Sequence, residues 1–270
     1  MIFGYDFGYK DSEIVFYSLN LGKNARKILE NLRETSEYIQ PFDLEKRVNL
    51  LENVKFTDLG IINLKKLKEV ENLVKNIVKD GKIPFGLNFC HLPAFFSVKA
   101  CKPDTLIIFD AHADCYSSYD FRKLEDEKIY KLNFSRKIKV TKFLNDATWL
   151  RRLLEKTKIK TFILGLRSCC EEEFLFLKKK GICYSKTCKL KGRRVYISVD
   201  MDVFDPSIAN TLHPEPAGLT FDSFKKIISS IRGNIVGCDV CCFLDDEKTL
   251  FLTSAVILQL IYKIRSKKGK

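Results

Sequence analysis

Apolar residues along the chain form short unbroken runs, separated by segments with helical periodicity. The runs do not alternate with polar residues, which is typical of strands covered on both faces in a parallel sheet. The segments between them repeat apolar positions every three to four residues, as amphipathic helices do. The predicted strands are Ile14–Tyr17, Ile83–Leu87, Thr105–Phe109, Thr161–Leu166, Val195–Val199 and Ile235–Phe243. The predicted helices are Ala25–Tyr38, Leu64–Val78, Ala147–Thr157, Glu171–Lys179, Phe221–Ile231 and Thr253–Ile264.

Strands that alternate with helices along the chain predict the α/β fold class, with a mostly parallel sheet covered on both faces. The chain has 270 residues and contains no Pro/Gly/Ser-rich linker. A single domain over residues 1–270 is therefore expected.

Two short acidic segments follow two of the predicted strands, at 110–114 and at 200–202. Side chains two residues apart share one face of an extended chain, whereas on a helix they scatter around the axis. Because open parallel sheets place their chemistry at the carboxyl ends of strands, the side chains of both segments should meet there. One of the three histidines follows a third strand and adds a further ligand. The candidate metal ligands are His91, Asp110, His112, Asp114, Asp200 and Asp202.

The chemistry of these candidate ligands points to the kind of metal. Oxygen-rich ligands with only two imidazoles favour a hard or borderline cation such as manganese, while zinc would be expected with cysteines at ligand spacing. The four carboxylates balance two divalent ions, so we expect two Mn²⁺ per chain. Coordination lowers the pKa of water from about 15.7 toward 7, which makes hydroxide the expected nucleophile.

The ten cysteines lie mostly inside or beside apolar runs and are interpreted as buried free thiols. Cys238 and Cys241 form a lone CxxC inside a predicted strand, with no second pair at zinc-site spacing.

The N-terminus lacks a basic start followed by an apolar stretch, so a cytoplasmic location is expected. The most apolar stretch, residues 250–262, is shorter than the roughly 20 residues of a membrane span, and no membrane association is expected.

The net charge of +13 raises the hypothesis of a nucleic-acid partner. The lysines are spread along the whole chain rather than clustered, which is more typical of a solvated surface. Nucleic acid is therefore not the expected partner. A Lys-rich, Glu-containing surface is also found in hyperthermophile proteins.

The sequence at 110–114, DAHAD, and that at 198–206, SVDMDVFDP, resemble motifs of the ureohydrolases, the arginase and agmatinase family. The segments 165–168 and 214–220 resemble the GIRS and PEPGGLT segments of that family, and the likeness runs from about residue 56 to 262. The resemblance implies a three-layer α/β/α sandwich around a parallel sheet and two manganese ions held by the six candidate ligands. It also implies a homo-oligomer, a trimer or a hexamer.

The chain departs from the family pattern at residues that concern proton transfer and substrate recognition. Asp146 stands where the family has a proton-shuttling histidine, and it either relays a proton or caps the helix that begins at Ala147. Cys242 stands where the family has the glutamate that binds a guanidinium group. A neutral thiol cannot make the paired, charge-assisted hydrogen bonds of a carboxylate, so the substrate-binding residues stay unassigned. Loop residues that could replace the glutamate are Glu215, Asp245 and Asp246.

These features together predict a binuclear, manganese-dependent hydrolase of a C–N bond in a linear amidine or guanidino compound, with agmatinase-like activity. The family resemblance implies that Asp114 orients the hydroxide, and Asp146 or His213 would protonate the departing nitrogen. An amide or formimino substrate is the first alternative, since it would explain the missing glutamate. A non-catalytic basic binding protein that retains a structural metal centre is the second.

Overall fold

A seven-stranded sheet forms the centre of the molecule. The computed structural model describes residues 1–21, 24–118, 144–184 and 190–266. The strands are β1 (Ile14–Leu19), β2 (Phe42–Asp43), β3 (Val48–Asn49), β4 (Phe56–Ile62), β5 (Ile83–Asn88), β6 (Thr105–Phe109), β7 (Lys160–Leu164), β8 (Lys191–Asp200) and β9 (Arg232–Cys241). The sheet has the order β4-β1-β5-β9-β8-β6-β7, and all its neighbouring strands are parallel. The short strands β2 and β3 form a separate antiparallel pair.

The helices of the described segments alternate with these strands. They are α1 (Gly8–Asp11), α2 (Ala25–Glu37), α3 (Glu69–Lys79), α4 (Pro93–Cys101), α5 (Trp149–Lys156), α6 (Glu171–Lys180), α7 (Phe221–Ser230) and α8 (Glu247–Arg265). In the described part of the chain, no helix combines the length and the apolar character needed to cross a membrane.

The side chains of β1 alternate between two hydrophobic cores, one on each face of the sheet. Ile14 and Phe16 point into the core that contains the buried residues of α2, α7 and α8. Val15 and Tyr17 point into the core that contains the buried residues of α3, α4, α5 and α6. The predicted three-layer α/β/α sandwich with a parallel central sheet is therefore confirmed.

Every predicted strand and helix is present, with its ends shifted by a few residues in most cases. Strand β4 and helix α4 are not among the predicted elements, and neither are the short α1, β2 and β3. Helix α8 starts at Glu247, well before the predicted start at Thr253, because Asp246 accepts a hydrogen bond from the Thr249 amide and caps it there.

The cysteines of the described segments agree with the predicted free thiols at eight positions, five of which are buried. Cys183 is disulfide-bonded, so the prediction is wrong at this position. The lone CxxC pair, Cys238 and Cys241, consists of two buried free thiols in β9.

Candidate metal centre

The candidate ligands lie at the carboxyl ends of neighbouring strands. His91 follows β5, the segment 110–114 follows β6, and Asp200 ends β8. Strand β9 lies between β5 and β8 in the sheet, and its last residue, Cys241, pairs with Asn88 and with Asp200. The carboxyl ends of these neighbouring parallel strands meet at one edge of the sheet, which is why ligands distant in sequence lie close together here.

A first group of candidate ligands surrounds Nδ1 of His91. This nitrogen lies 3.2 Å from Oδ2 of Asp110, 3.1 Å from Oδ2 of Asp114 and 3.5 Å from Oδ2 of Asp200. His91, Asp110 and Asp200 are each buried. His91, Asp110 and Asp114 form a set able to hold one divalent cation, and Asp200 lies next to the same nitrogen of His91.

A second group consists of Asp110, His112 and Asp202. Nδ1 of His112 lies 2.8 Å from Oδ2 of Asp202 and 3.8 Å from Oδ1 of Asp110. Backbone amides fix these carboxylates, since the Ala111 N–H donates to Asp202 and the His112 N–H donates to Asp110. Asp110 belongs to both groups. Its two oxygens therefore connect two adjacent positions, the arrangement that a bridged pair of ions requires.

A chain of hydrogen bonds from Asp239 through Ser198 to His91 determines which ring nitrogen of His91 carries the proton. Tyr196 and Ser198 both donate their hydroxyl protons to Asp239, at 2.7 and 2.6 Å. The proton of Ser198 is thus used, so its oxygen accepts from Nε2 of His91 at 2.9 Å. Nδ1 then carries a lone pair, directed at carboxylates, and it has no hydrogen-bond partner although it is buried. A cation between Nδ1 and the carboxyl oxygens resolves this conflict, so the residues present fit a metal ion.

The carboxyl groups of the site also perturb one another. Burial, followed by the charges of Asp202 and Asp114, raises the pKa of Asp110 to about 7. Burial and the charges of Asp202 and Asp110 raise the pKa of Asp200 well above its usual value. Burial also acts on Asp202, but the hydrogen bond and the charge of His112 outweigh it and lower the pKa of that carboxyl. A bound cation would counteract this mutual repulsion and favour the ionised form of these carboxyl groups.

Asp114 is held in an unusual backbone conformation by two contacts. Its φ angle is 47°, in the left-handed region that residues other than glycine rarely occupy. The indole N–H of Trp149 donates to its Oδ2 at 2.8 Å, and the next amide, that of Cys115, donates to Glu173 at 2.9 Å. Strained backbone concentrates at functional sites, where surrounding contacts compensate for it.

Gly165 allows the end of β7 to approach the site. Its φ angle is 96°, and a Cβ atom there would lie 2.4 Å from Cγ2 of Val203 and 3.4 Å from the carbonyl oxygen of Asp110. Only glycine is compatible with this conformation and this proximity. The following Arg167 donates to the carbonyl groups of Asp202 and Glu215, at 2.7 and 2.9 Å, and so fastens the loop after β8 to the strand ends.

A cavity of about 650 Å³ opens above the two groups. Among the residues that line it are Asp146, His213, Glu215 and Cys242. Asp146 does not cap the helix: a 3-10 turn starts after Asn145, and the Asp146 carboxylate accepts from the Leu92 amide at 2.7 Å. Burial raises the pKa of Asp146 to about 6. His213 is exposed at the mouth of the cavity, with its ring centroid 6.3 Å from that of His112.

Only one of the acidic residues considered as replacements for the missing glutamate lines this cavity. Glu215 places Oε1 3.4 Å from Nε2 of His112. Asp245 accepts from Asn31 at 2.6 Å, and Asp246 caps α8, so both serve other parts of the fold. Of these three residues, Glu215 alone faces the cavity.

The interpretation of the sequence missed several residues that support the site. These are Trp149, Ser198, Asp239 and Cys241, which contact candidate ligands directly or through one intermediate. For Asp239 a signal exists, since a charged residue inside an otherwise apolar, buried strand requires polar partners. The other three gave no signal, because a tryptophan, a serine and a cysteine are common in buried segments.

Comparison with known proteins identifies the family. The sequence model of the arginase family matches residues 24–263, and the chain belongs to this family. An agmatinase from Bacillus anthracis is 29% identical over 267 aligned positions, covering 86% of this chain and 83% of that protein. The agmatine ureohydrolase of Thermoplasma volcanium has a similar fold, with a TM-score of 0.76, 24% identity and coverage of 97% and 94%. The formiminoglutamase of Trypanosoma cruzi, solved with Mn²⁺, has a TM-score of 0.74, 15% identity and coverage of 97% and 96%.

Proposed function

We propose that this protein is a binuclear, manganese-dependent hydrolase that cleaves a C–N bond of a linear amidine or guanidino compound, with agmatinase-like activity. The observation that carries the proposal is the sharing of Asp110 between two groups of candidate ligands. Membership of the arginase family and the likeness to agmatinases support the type of reaction.

Each of the six candidate ligands has a role in this proposal. His91, Asp110, Asp114 and Asp200 would hold one ion, and Asp110, His112 and Asp202 the other. Two bound divalent ions would supply Lewis acidity and hydroxide at neutral pH. Manganese suits these ligands because carboxylates outnumber imidazoles, and a fold neighbour was solved with Mn²⁺. Asp114, held by Trp149, would accept a hydrogen bond from the attacking hydroxide and orient it.

The departing nitrogen requires a proton, and two groups at the cavity are placed to donate it. Asp146 lines the cavity, and its pKa of about 6, raised by burial, leaves a protonated fraction near neutral pH. His213 lines the cavity from the loop after β8, near the mouth. We propose Asp146 or His213 as the general acid.

The lining of the cavity supports a cationic substrate. Apart from the candidate ligands, its described part contains the acidic residues Asp146, Glu173 and Glu215. No lysine or arginine is found among the lining residues in the described ranges, although the chain as a whole has a net charge of +13. Carboxylates that face a cavity attract amine or amidinium groups. Glu215 would bind such a group in place of the missing glutamate.

A formimino or amide substrate remains the alternative, and one specific residue favours it. Cys242 lines the cavity where a guanidinium-binding carboxylate would be expected. A thiol suits a smaller or less charged group than a guanidinium. A formiminoglutamase is also among the fold neighbours.

A substrate screen tests the proposal. The purified protein, loaded with Mn²⁺, is incubated with agmatine and other guanidino compounds, with formimino compounds and with acylated amines. Urea, ammonia, formamide and free amine are then measured. We expect urea and an amine from a guanidino compound. Asp202→Asn, which keeps the shape of the side chain but removes its charge, is the matched control and should reduce the rate to background. Absence of product from every substrate would contradict the proposal, and formamide or ammonia alone would favour the alternative.

The predicted homo-oligomer and the predicted cytoplasmic location rest on the family resemblance and on the N-terminal residues, and they stay predictions. Size-exclusion chromatography with light scattering tests the first. A mass near three or six times the 31.3 kDa of one chain is the expected result.

A further inference from the structure

A buried thiol lies beside the first group of candidate ligands. Cys241 is the last residue of β9 and is 0% exposed. Its neighbour across the sheet on one side is Asp200 of β8, and its Sγ lies 3.8 Å from Oδ2 of that residue. In the described part of the chain, it is the one cysteine that falls within a group able to hold a metal ion.

The distances allow this thiol and the neighbouring ligands to bind the same ion. A ligand atom of Cys241, one of His91 and one of Asp200 all lie within 4.8 Å of one another. Bonds from a divalent metal to sulfur and to nitrogen or oxygen are about 2.3 and 2.0–2.2 Å long, so two ligands of one ion lie at most about 4.5 Å apart. The distance of 3.8 Å between Sγ of Cys241 and the Asp200 oxygen meets this limit. A shift of a few tenths of an ångström would bring every distance within this group of three ligand atoms below the limit.

An independent observation shows that a ligand belongs at this point. Nδ1 of His91 is buried, has no hydrogen-bond partner and lies 3.5 Å from the same Asp200 oxygen that Cys241 contacts. The second group, which consists of Asp110, His112 and Asp202, contains no sulfur. The two ion positions therefore differ, since one has a thiol within reach and the other has only oxygen and nitrogen atoms.

We propose that Cys241 is a ligand of the ion held by His91, and that this position prefers a borderline cation such as Zn²⁺ or Co²⁺ over Mn²⁺. Thiolate is a soft ligand that favours such ions over manganese. The metal–sulfur bond forms as the thiol gives up its proton to solvent, and no electron is transferred. This inference rests on the metal centre of the proposed function and changes the identity of one of its two ions.

Cobalt provides a direct readout, because a thiolate bound to Co²⁺ gives a charge-transfer absorption band in the near ultraviolet. The metal-free protein is loaded with Co²⁺, and this band is recorded together with the visible ligand-field bands. We expect the charge-transfer band in the wild type. We expect it to be lost in Cys241→Ser while the ligand-field bands remain. The affinity for Zn²⁺ at this position should fall by at least about tenfold, as when a group supporting a metal site is lost.

Two matched variants make the test specific. Cys238→Ser replaces a buried thiol of the same strand that faces the opposite core, and it should keep the band. Cys242→Ser should also keep it, and loss of the band in that variant instead would overturn the assignment. X-ray absorption of the zinc-loaded wild type, which needs no variant, should show one sulfur at about 2.3 Å.

Failure of this inference is distinguishable from failure of the proposed function. Ligand-field bands without a charge-transfer band would overturn thiolate ligation, while hydrolysis by the Mn²⁺-loaded protein would leave the proposed function intact. Absence of cobalt binding and of hydrolysis would overturn both.

Discussion

Trp149 donates its indole N–H to Oδ2 of Asp114 at 2.8 Å, from a ring that is fully buried. The same ring packs against His91, with 4.7 Å between the ring centroids. The only tryptophan of the chain thus contacts two candidate ligands from different strands. Groups that hydrogen-bond to metal ligands hold those ligands in the orientation that binding requires, and their loss weakens metal binding.

Trp149→Phe should therefore weaken metal binding more than it disturbs the fold. Phenylalanine keeps a ring against His91 but cannot donate to Asp114. We expect the affinity for Mn²⁺ to fall by about 10- to 100-fold, as measured by calorimetric titration. Tyr17→Phe, which removes a buried hydroxyl bonded to Ser97 at 2.7 Å, is the control and should leave the affinity unchanged. Equal affinities of Trp149→Phe and wild type would show that Asp114 needs no support.

Ser198 connects His91 to Asp239, and Ser198→Ala should free the His91 ring to rotate and to change its tautomer. The expected result is a loss of Mn²⁺ affinity of about 10- to 100-fold. Tyr196→Phe removes the other hydrogen bond to Asp239 without touching His91, so it is the matched control. If Tyr196→Phe weakened binding as much as Ser198→Ala, general loss of stability rather than orientation of His91 would be the cause.

Cys242→Glu should increase urea release from agmatine. A carboxylate at this point of the cavity can pair with a guanidinium, and a hydrogen bond to a charged group contributes about 1.5–3 kcal/mol. We expect kcat/KM to rise by about 10- to 100-fold, with most of the change in KM, since about 1.4 kcal/mol corresponds to a factor of ten. Cys242→Gln has the same length without the charge and should show little gain. Identical kinetics of the two variants would mean that Cys242 does not face the substrate.

The predictable part of the fold comes from strands that are buried on both faces, such as β6, whose apolar run has the predicted bounds. Strand β4 lies at the edge of the sheet and contains Asp58, so it lacks such a run. Helix α4 is buried over nearly its whole circumference. A helix without a polar face has no amphipathic period, and pattern alone does not distinguish it from a strand.

The site was predictable to the extent that its residues are of ligand type and follow strands, as Asp110 and Asp200 do. Its supporting contacts were not predictable, because they join residues far apart in sequence. Trp149 reaches Asp114 across 35 positions, and Asp239 reaches Ser198 across 41. Such contacts depend on the order of the strands in the sheet, which the sequence pattern leaves open.

Asp58 and Arg33 form a buried ion pair that offers a test of stability independent of the metal centre. Their side chains are 1% and 9% exposed, and two hydrogen bonds of 2.7 and 2.8 Å join them. Arg33→Met leaves the carboxylate unpaired and should lower the free energy of unfolding by about 3–5 kcal/mol at pH 7, measured by urea denaturation. Arg26→Met breaks an exposed pair with Glu30 and should cost less than about 1 kcal/mol.

The pH dependence of this pair has a defined sign. Burial alone would raise the pKa of Asp58, but the hydrogen bond and charge of Arg33 outweigh it and lower the pKa below 3.8. The pair therefore stabilises the wild type above about pH 4, and this contribution is lost as the pH falls through the lowered value. Without Arg33, burial is opposed mainly by the hydrogen bond from the Gly60 amide, so the pKa of Asp58 should rise. The loss of stability in the variant relative to the wild type should therefore narrow as the pH falls from 7 toward 4. If the variant lost the same free energy of unfolding at every pH, Arg33 would stabilise the fold through packing rather than through its charge.

Anomalous diffraction at the manganese edge, from crystals grown with Mn²⁺, tests the central claim most directly. We expect two peaks about 3.5–4 Å apart, one beside His91 and one beside His112, with the Asp110 carboxylate between them. A single peak, or peaks that do not share Asp110, would contradict a binuclear centre.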